Sequence, residues 1–184
     1  MRLWPPVGVL AMLALGLLVG KGSTDIDDWF LHDLRLHGHR MLLIFIDWRL
    51  LLAIWIGCAG YAVWRRRWRL AAVVVASPVI AISCVKLIKP LFGRTKGGTL
   101  AYPSGHTTLL VVLLGLVVIA AGWRLGVVLA AAVVVLLGML GLAMTYHYFT
   151  DTVGALLFGS AVVCVSALVA DDRQTTAVRS PSRH

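Results

Sequence analysis

From Thr107 to Tyr146 the chain carries a single charged residue, Arg124, in the middle of an otherwise apolar stretch. A soluble helix or strand keeps one wetted face, and neither side of Arg124 has the polar residues to supply one. The apolar runs on either side of it suit a bilayer, whose hydrocarbon core takes roughly 20 helical residues to cross. The stretch is expected as a hairpin of two membrane helices with Arg124 in its turn, so its two ends return to the same membrane face. The ends are polar: Pro103-Ser104-Gly105-His106 opens the first run, and His147-Tyr148-Phe149-Thr150-Asp151 follows the second.

Composition extends this to the whole chain. Apolar side chains make up 60% of 184 residues, and a mean hydropathy of +0.90 excludes a soluble domain of this size. Spans are expected near residues 5–20, 43–63, 70–89, 105–122, 125–146 and 152–170. The expected fold is all-α, an integral membrane bundle of six transmembrane helices with a short interfacial helix between spans one and two. Residues 1–170 form one membrane-embedded domain, and 171–184, rich in Ser, Thr and Arg, read as a disordered cytoplasmic tail. The apolar stretch before Lys21 is expected as a retained first helix, the alternative being a signal peptide, since its small-residue cleavage pattern is poor. No internal repeat is visible.

A net charge of +9 would suggest nucleic acid in a soluble protein, but here it sits in short segments beside spans, which excludes that partner. Arg65-Arg66-Arg67-Trp68-Arg69, Arg124, Arg173, Arg179 and Arg183 mark the cytoplasmic side by the positive-inside rule. Both termini are then cytoplasmic, in a cell inner membrane, and the two polar clusters face outward. Trp4, Trp64, Trp68 and Trp123 suit an interfacial belt. Cys58, Cys84 and Cys164 fall inside spans at unrelated spacings and read as core residues.

The segment Ser23–Phe30 has helix-capping residues and an acidic first turn ahead of apolar ones, as an interfacial helix does. His32, His37 and His39 near its end match no strong metal-ligand spacing. Asp47 and Arg49 lie close enough to the membrane boundary to pair locally or snorkel. The outward loop after span three breaks the charge rule: Lys86, Lys89, Arg94 and Lys96 crowd together beside Gly93, Gly97 and Gly98. Cations placed against the topological rule suggest an anionic ligand.

Ser104 is placed to cap span four, leaving free backbone N–H groups and the positive helix end for an anion, with Gly105 allowing close backbone approach. His147 and Asp151 stand four apart on a helix or tight turn. A carboxylate accepting Nδ1–H of His147 would fix its tautomer and free Nε2 as nucleophile or base. Asp151 is one of eight acidic residues in a chain without glutamate.

The order Lys89-x4-Arg94, Pro103-Ser104-Gly105-His106 and His147-x3-Asp151 over a six-span bundle resembles the type 2 phosphatidic acid phosphatase family of membrane lipid phosphatases. The resemblance covers spans three to six. It implies that His147 attacks phosphorus to form a phosphohistidine, that Asp151 orients it, and that His106 protonates the leaving alkoxide and later activates water. Lys89, Lys96, Ser104, Gly105 and Arg94 would hold the phosphate, with no metal and no cofactor. The substrate would be a lipid phosphomonoester or diphosphate, such as a polyprenyl phosphate, a phosphatidyl phosphate or a phosphorylated glycolipid. Surrounding membrane lipids are the other expected partners.

The chain departs from the family pattern in two places. Lys96-Gly97 stands where Arg-Pro is usual, and Gly141, preceded by Leu140, stands where an arginine precedes the second histidine. Lysine keeps the charge but lacks the planar fork that grips two oxygens. Alternatives to a hydrolase are a catalytically weakened binder or transporter of phosphorylated lipids and a lipid-to-lipid phosphotransferase. A metal site built from His106, His147 and Asp151 is a further reading.

Overall fold

The computed structural model describes residues 2–33 and 39–170. His37, the arginines beyond 170 and the tail expected to be disordered lie outside the described residues, as does the side chain of His39. Helices are α1 (Trp4–Val19), α2 (Asp25–Asp28), α3 (Trp48–Trp64), α4 (Trp68–Phe92), α5 (Gly105–Ala121), α6 (Leu125–Ala143) and α7 (Phe149–Ala170). A π-helical turn at Trp29–Asp33 follows α2, a 3-10 segment at His39–Ile46 precedes α3, and a two-stranded antiparallel hairpin pairs Thr95–Lys96 (β1) with Thr99–Leu100 (β2).

Four helical stretches are long and apolar enough to cross a membrane: Arg40–Trp64, in which the 3-10 segment runs into α3, and α4, α6 and α7. The expectation of six full spans is met only in part, because α1, with 16 residues, and α5, with 17, are apolar but shorter. Cap chemistry sets the length of α5. Ser104 begins it by accepting the Thr107 N–H, and Gly122, left-handed at φ 76°, ends it. At 1.5 Å per residue the helix is roughly 26 Å long, a little short of the ~30 Å hydrocarbon core.

Helix α5 is the centre of the bundle. Leu110, Leu113 and Leu116 are buried on it and join two apolar clusters, one with Met12, Val74 and Phe158, the other with Leu51, Met139 and Leu142. The outer faces stay apolar: Leu18, Ile56, Ile80, Leu91, Leu129, Val133 and Val169 are exposed, as suits a lipid-facing surface. Small residues let helices approach closely. A Cβ at Gly8 of α1 would lie 2.9 Å from the Leu157 carbonyl oxygen of α7, and one at Gly159 of α7 would lie 2.9 Å from Val111 of α5.

Pro78 lies inside α4 and has no N–H to donate to the carbonyl of Val74, one turn back. The Trp55 indole of α3 fills the vacancy, with Nε1 donating to Val74 O at 2.7 Å. A proline that would leave a polar gap instead ties α3 to α4. Ser77 and Ser166, bonded at 2.8 Å and buried, tie α4 to α7. Asp47 caps α3 through a 2.8 Å bond from the Arg49 backbone N–H.

Trp55→Phe keeps most of the ring's packing and removes only this donor, so the Val74 carbonyl loses its partner in an apolar setting. The expected cost is about 1–3 kcal/mol. It should appear as a lowered melting temperature of the detergent-solubilised chain, and an unchanged melting temperature would refute the role given to Trp55.

Candidate active site

The two polar clusters meet. The Ser104 N–H donates to the Asp151 carbonyl oxygen at 3.1 Å, joining the start of α5 directly to the first turn of α7. His106 lies in the first turn of α5, and His147 in the short connection between α6 and α7. Their ring centroids are 6.3 Å apart, with the planes inclined at 59°. The hairpin therefore brings the histidines together at one end of the bundle. His106 is exposed, and the His147 side chain keeps 12% of its surface accessible.

Asp151 is fully buried behind His147. Its Oδ2 lies 3.6 Å from His147 Nδ1, too far for a hydrogen bond, and it accepts the Tyr148 N–H at 3.0 Å. His147 Nδ1 is buried with no hydrogen-bond partner. The orienting bond expected from the four-residue spacing is therefore not formed, the two atoms standing several tenths of an ångström beyond hydrogen-bond distance. Catalytic hydrogen bonds often close only when substrate is bound.

The largest correction to the sequence expectation concerns Arg94. Its side chain is fully buried, and all five of its N–H groups are committed inside the protein. Nε and Nη2 donate to Gly22 O at 3.1 and 2.8 Å, and Nη2 also donates to Asp27 at 2.7 Å. Nη1 donates to Thr150 Oγ1 at 2.6 Å and to Asp151 Oδ1 at 3.0 Å. No donor is left for a phosphate. Its guanidinium also lies over the Tyr148 ring, 4.5 Å from the centroid. The sequence reading made Arg94 a ligand; the structure makes it the tie between α2, the hairpin loop and α7.

Asp27 is the residue that the sequence reading missed. Through Oδ1 it accepts the Thr150 N–H at 2.9 Å, and through Oδ2 it closes a capping box with Thr24. The signal lay in Thr24-x-x-Asp27 within a chain of few acids, but its bond to Thr150 spans 123 residues, beyond the reach of any local pattern. Phe30, just after α2, stacks on Phe149 at 4.1 Å. The segment expected to float on the membrane surface is thus seated on the start of α7. Burial pushes the Asp27 carboxyl up, but hydrogen bonds from the Thr150 backbone, from Thr24 and from Arg94 outweigh it and hold the carboxyl below its ordinary value of 3.8.

The remaining candidates divide by their free donors. Lys96 spends one N–H on His147 O at 2.8 Å and lies 4.8 Å from the Tyr148 ring centroid. Burial depresses its ammonium, and the charges of Asp151 and Asp27 partly restore it. Lys89 donates to Leu100 O at 2.7 Å and, at 3.4 Å, to Ala101 O, holding β2 against the end of α4. Ser104 is buried and its Oγ serves the helix cap, accepting from Thr107, while Gly105 is half-buried beside it. Among the described residues, no group of three or more His, Cys, Asp or Glu is arranged to hold a metal ion.

Gly141 has a physical explanation. It is buried on α6, where a Cβ would lie 2.9 Å from Leu42 Cβ and 3.1 Å from the Leu42 carbonyl carbon. The 3-10 segment rests on the space that a side chain at this position would need.

An apolar cavity of about 510 Å³ runs between α3, α4 and α5. Trp55, Pro78 and Leu113 line its wall, and His106 and Lys86 stand on its lining. The exposed histidine of the pair therefore borders both the polar site and an apolar cavity among the helices.

Asp27→Asn should cost about 3 kcal/mol by leaving the buried Arg94 charge under-compensated. Because the folded carboxyl is depressed, its contribution is complete above the ordinary carboxylate value and is lost as pH falls through the folded value. The melting-temperature difference between wild type and Asp27→Asn should therefore hold from neutrality to about pH 5 and shrink below about pH 4. A pH-independent difference would refute this account.

A paired substitution tests Gly141. Gly141→Ala forces a backbone clash and should destabilise by about 1–2 kcal/mol. Gly60→Ala in α3, where a Cβ meets nothing within 4 Å, should be neutral or stabilise by up to about 1 kcal/mol. Equal melting temperatures for the two variants would contradict the close packing on Leu42.

Compared with protein-family models, with curated proteins and with solved structures, the chain matches none, so the functional case rests on the order of its motifs and the geometry of this site.

Proposed function

We propose that the protein is a membrane lipid phosphate phosphatase, a six-helix bundle of the type 2 phosphatidic acid phosphatase kind working at the outer face of a cell inner membrane. The observation that carries this reading is the histidine pair, with ring centroids 6.3 Å apart and the buried Asp151 behind His147. At that separation, both rings can address one phosphoryl group. The apolar cavity bordered by His106 and Lys86 supports a lipid substrate, since it offers a tail an apolar path to the polar end.

The chemistry follows from the positions. His147 Nε2 attacks phosphorus while Nδ1–H turns toward Asp151 Oδ2; the ester P–O bond breaks, and the leaving alkoxide takes a proton from His106. Water then attacks the phosphohistidine, giving its proton to His106, and the P–N bond breaks to release phosphate. Lys96 has two N–H groups beyond the one spent on His147 O, and the unbonded N–H groups at the start of α5 add the positive end of the helix dipole. Lys89 stands within electrostatic range of His106 and Asp151. The substrate is a lipid phosphomonoester or diphosphate, and a lipid alcohol in place of water would make the same site a phosphotransferase.

Gly141 favours a second reading. With the family's arginine position closed by Leu42, the chain could retain phosphorylated lipid without rapid turnover, as a binder or transporter. The two readings separate at His147. As a phosphatase, His147→Ala should lower phosphate release from a panel of lipid phosphates by about 10³-fold or more, and brief exposure of the wild type to ³²P-labelled substrate should leave an acid-labile, alkali-stable label that the variant lacks. Orthovanadate should inhibit the wild type. Release that persists in His147→Ala would sink the nucleophile assignment, and a wild type that binds the lipids without releasing phosphate would establish the binder.

A further inference from the structure

At the end of the bundle away from the histidines, a second apolar groove of about 480 Å³ opens between α3 and α5. Ile54 and Val117 form part of its wall, Gly57 and Cys58 part of its floor, and Tyr61 and Arg124 lie toward the end where α5 finishes. Gly57 keeps the floor open, since a Cβ there would meet nothing within 4 Å. From Ile54 to Tyr61 the helix rises roughly 10 Å, within the ~15 Å hydrocarbon depth of one leaflet.

The mouth of this groove is cationic. Arg124 lines it directly, and Arg67 reaches its rim, with Nη1 donating to the Ala120 carbonyl oxygen at 3.3 Å. Arg65 and Arg66 stand in the same short loop, and both are exposed. Tyr61, Trp64 and Trp123, also exposed, mark the level at which aromatic rings meet headgroups.

A trough without cations would suit any hydrocarbon, and cations without a trough would suit any soluble anion. Their combination suits an amphiphile with an apolar tail and an anionic head. We propose that this groove is a binding site for an anionic phospholipid of the leaflet opposite the histidine pair. Its acyl chain lies over Gly57 and Cys58, and its phosphate is held by Arg124 and Arg67. The site is separate from the one at which a phosphorylated lipid would react, and its occupant is retained rather than converted.

The test is thermal melting of the purified full chain in neutral detergent with added phosphatidylglycerol, phosphatidylcholine or soluble glycerol 3-phosphate, with bound lipid counted by native mass spectrometry. Phosphatidylglycerol should raise the melting temperature by roughly 3 °C or more, while phosphatidylcholine and glycerol 3-phosphate should not. Arg124→Gln should remove most of that rise. Gly57→Leu, which fills the groove without touching the cations, should remove it as well, and each variant is compared with its own lipid-free melting temperature. A rise undiminished in both variants, or one matched by phosphatidylcholine or by glycerol 3-phosphate, would overturn the proposal. His147→Ala should keep the full phosphatidylglycerol response whether or not it abolishes phosphate release, so failure of the phosphatase reading and failure of this site give different results.

Discussion

The buried guanidinium of Arg94 is the interaction on which the polar end of this bundle depends. A charge removed from water is tolerated only when it is paired and its hydrogen-bonding capacity is filled. Gly22, Asp27, Thr150 and Asp151 fill it, from segments before α2, within α2 and at the start of α7. Two carboxylates against one guanidinium leave one negative charge, and the neighbouring ammonium groups of Lys96 and Lys89 feel it through Asp151. Asp151 therefore stands between a structural cation on one side and the His147 ring on the other. Its position is set by Arg94 and by the Tyr148 N–H, which hold its Oδ2 3.6 Å from His147 Nδ1.

What was legible in the sequence was mostly local or topological. The Ser104 cap followed from a polar residue just ahead of an apolar run, and cap geometry reaches only three or four residues. The meeting of His106 with His147 followed from hairpin topology, since two apolar runs joined by one charged turn return the chain to its starting face. The bundle's all-helical character followed from composition. Arg94 was misread because a cation flanked by glycines in a loop looks the same in sequence whether it faces a ligand or is buried by segments from elsewhere. Asp27 showed in sequence only its local capping pattern with Thr24, because its partners Arg94 and Thr150 lie 67 and 123 residues away.

The membrane-crossing count shows a similar limit. Apolar composition marked where α5 lies, at 105–122, but between its caps at Ser104 and Gly122 it holds 17 residues, just under the length that crosses a membrane. Gly141 stood out in sequence as a departure from the family pattern, but its cause did not. The 3-10 segment that rests on it begins ahead of the span expected from residue 43, and only the packed structure shows Leu42 against the glycine.

The close approach of α1 to α7 at Gly8 against Leu157 couples the first of the described helices to the last. Contacts so distant in sequence form late and all at once, since the entropy of closing the intervening chain is spent before any of them is gained. During synthesis the small-residue face of α1 would remain against lipid, and Arg94 would hold Asp27 but lack Thr150 and Asp151, until the final helix arrived. Insertion of α7 would then complete the helix packing and the polar end in one step. A chain interrupted before Phe149 would lack both, so whatever chemistry the histidines perform would be confined to fully assembled molecules.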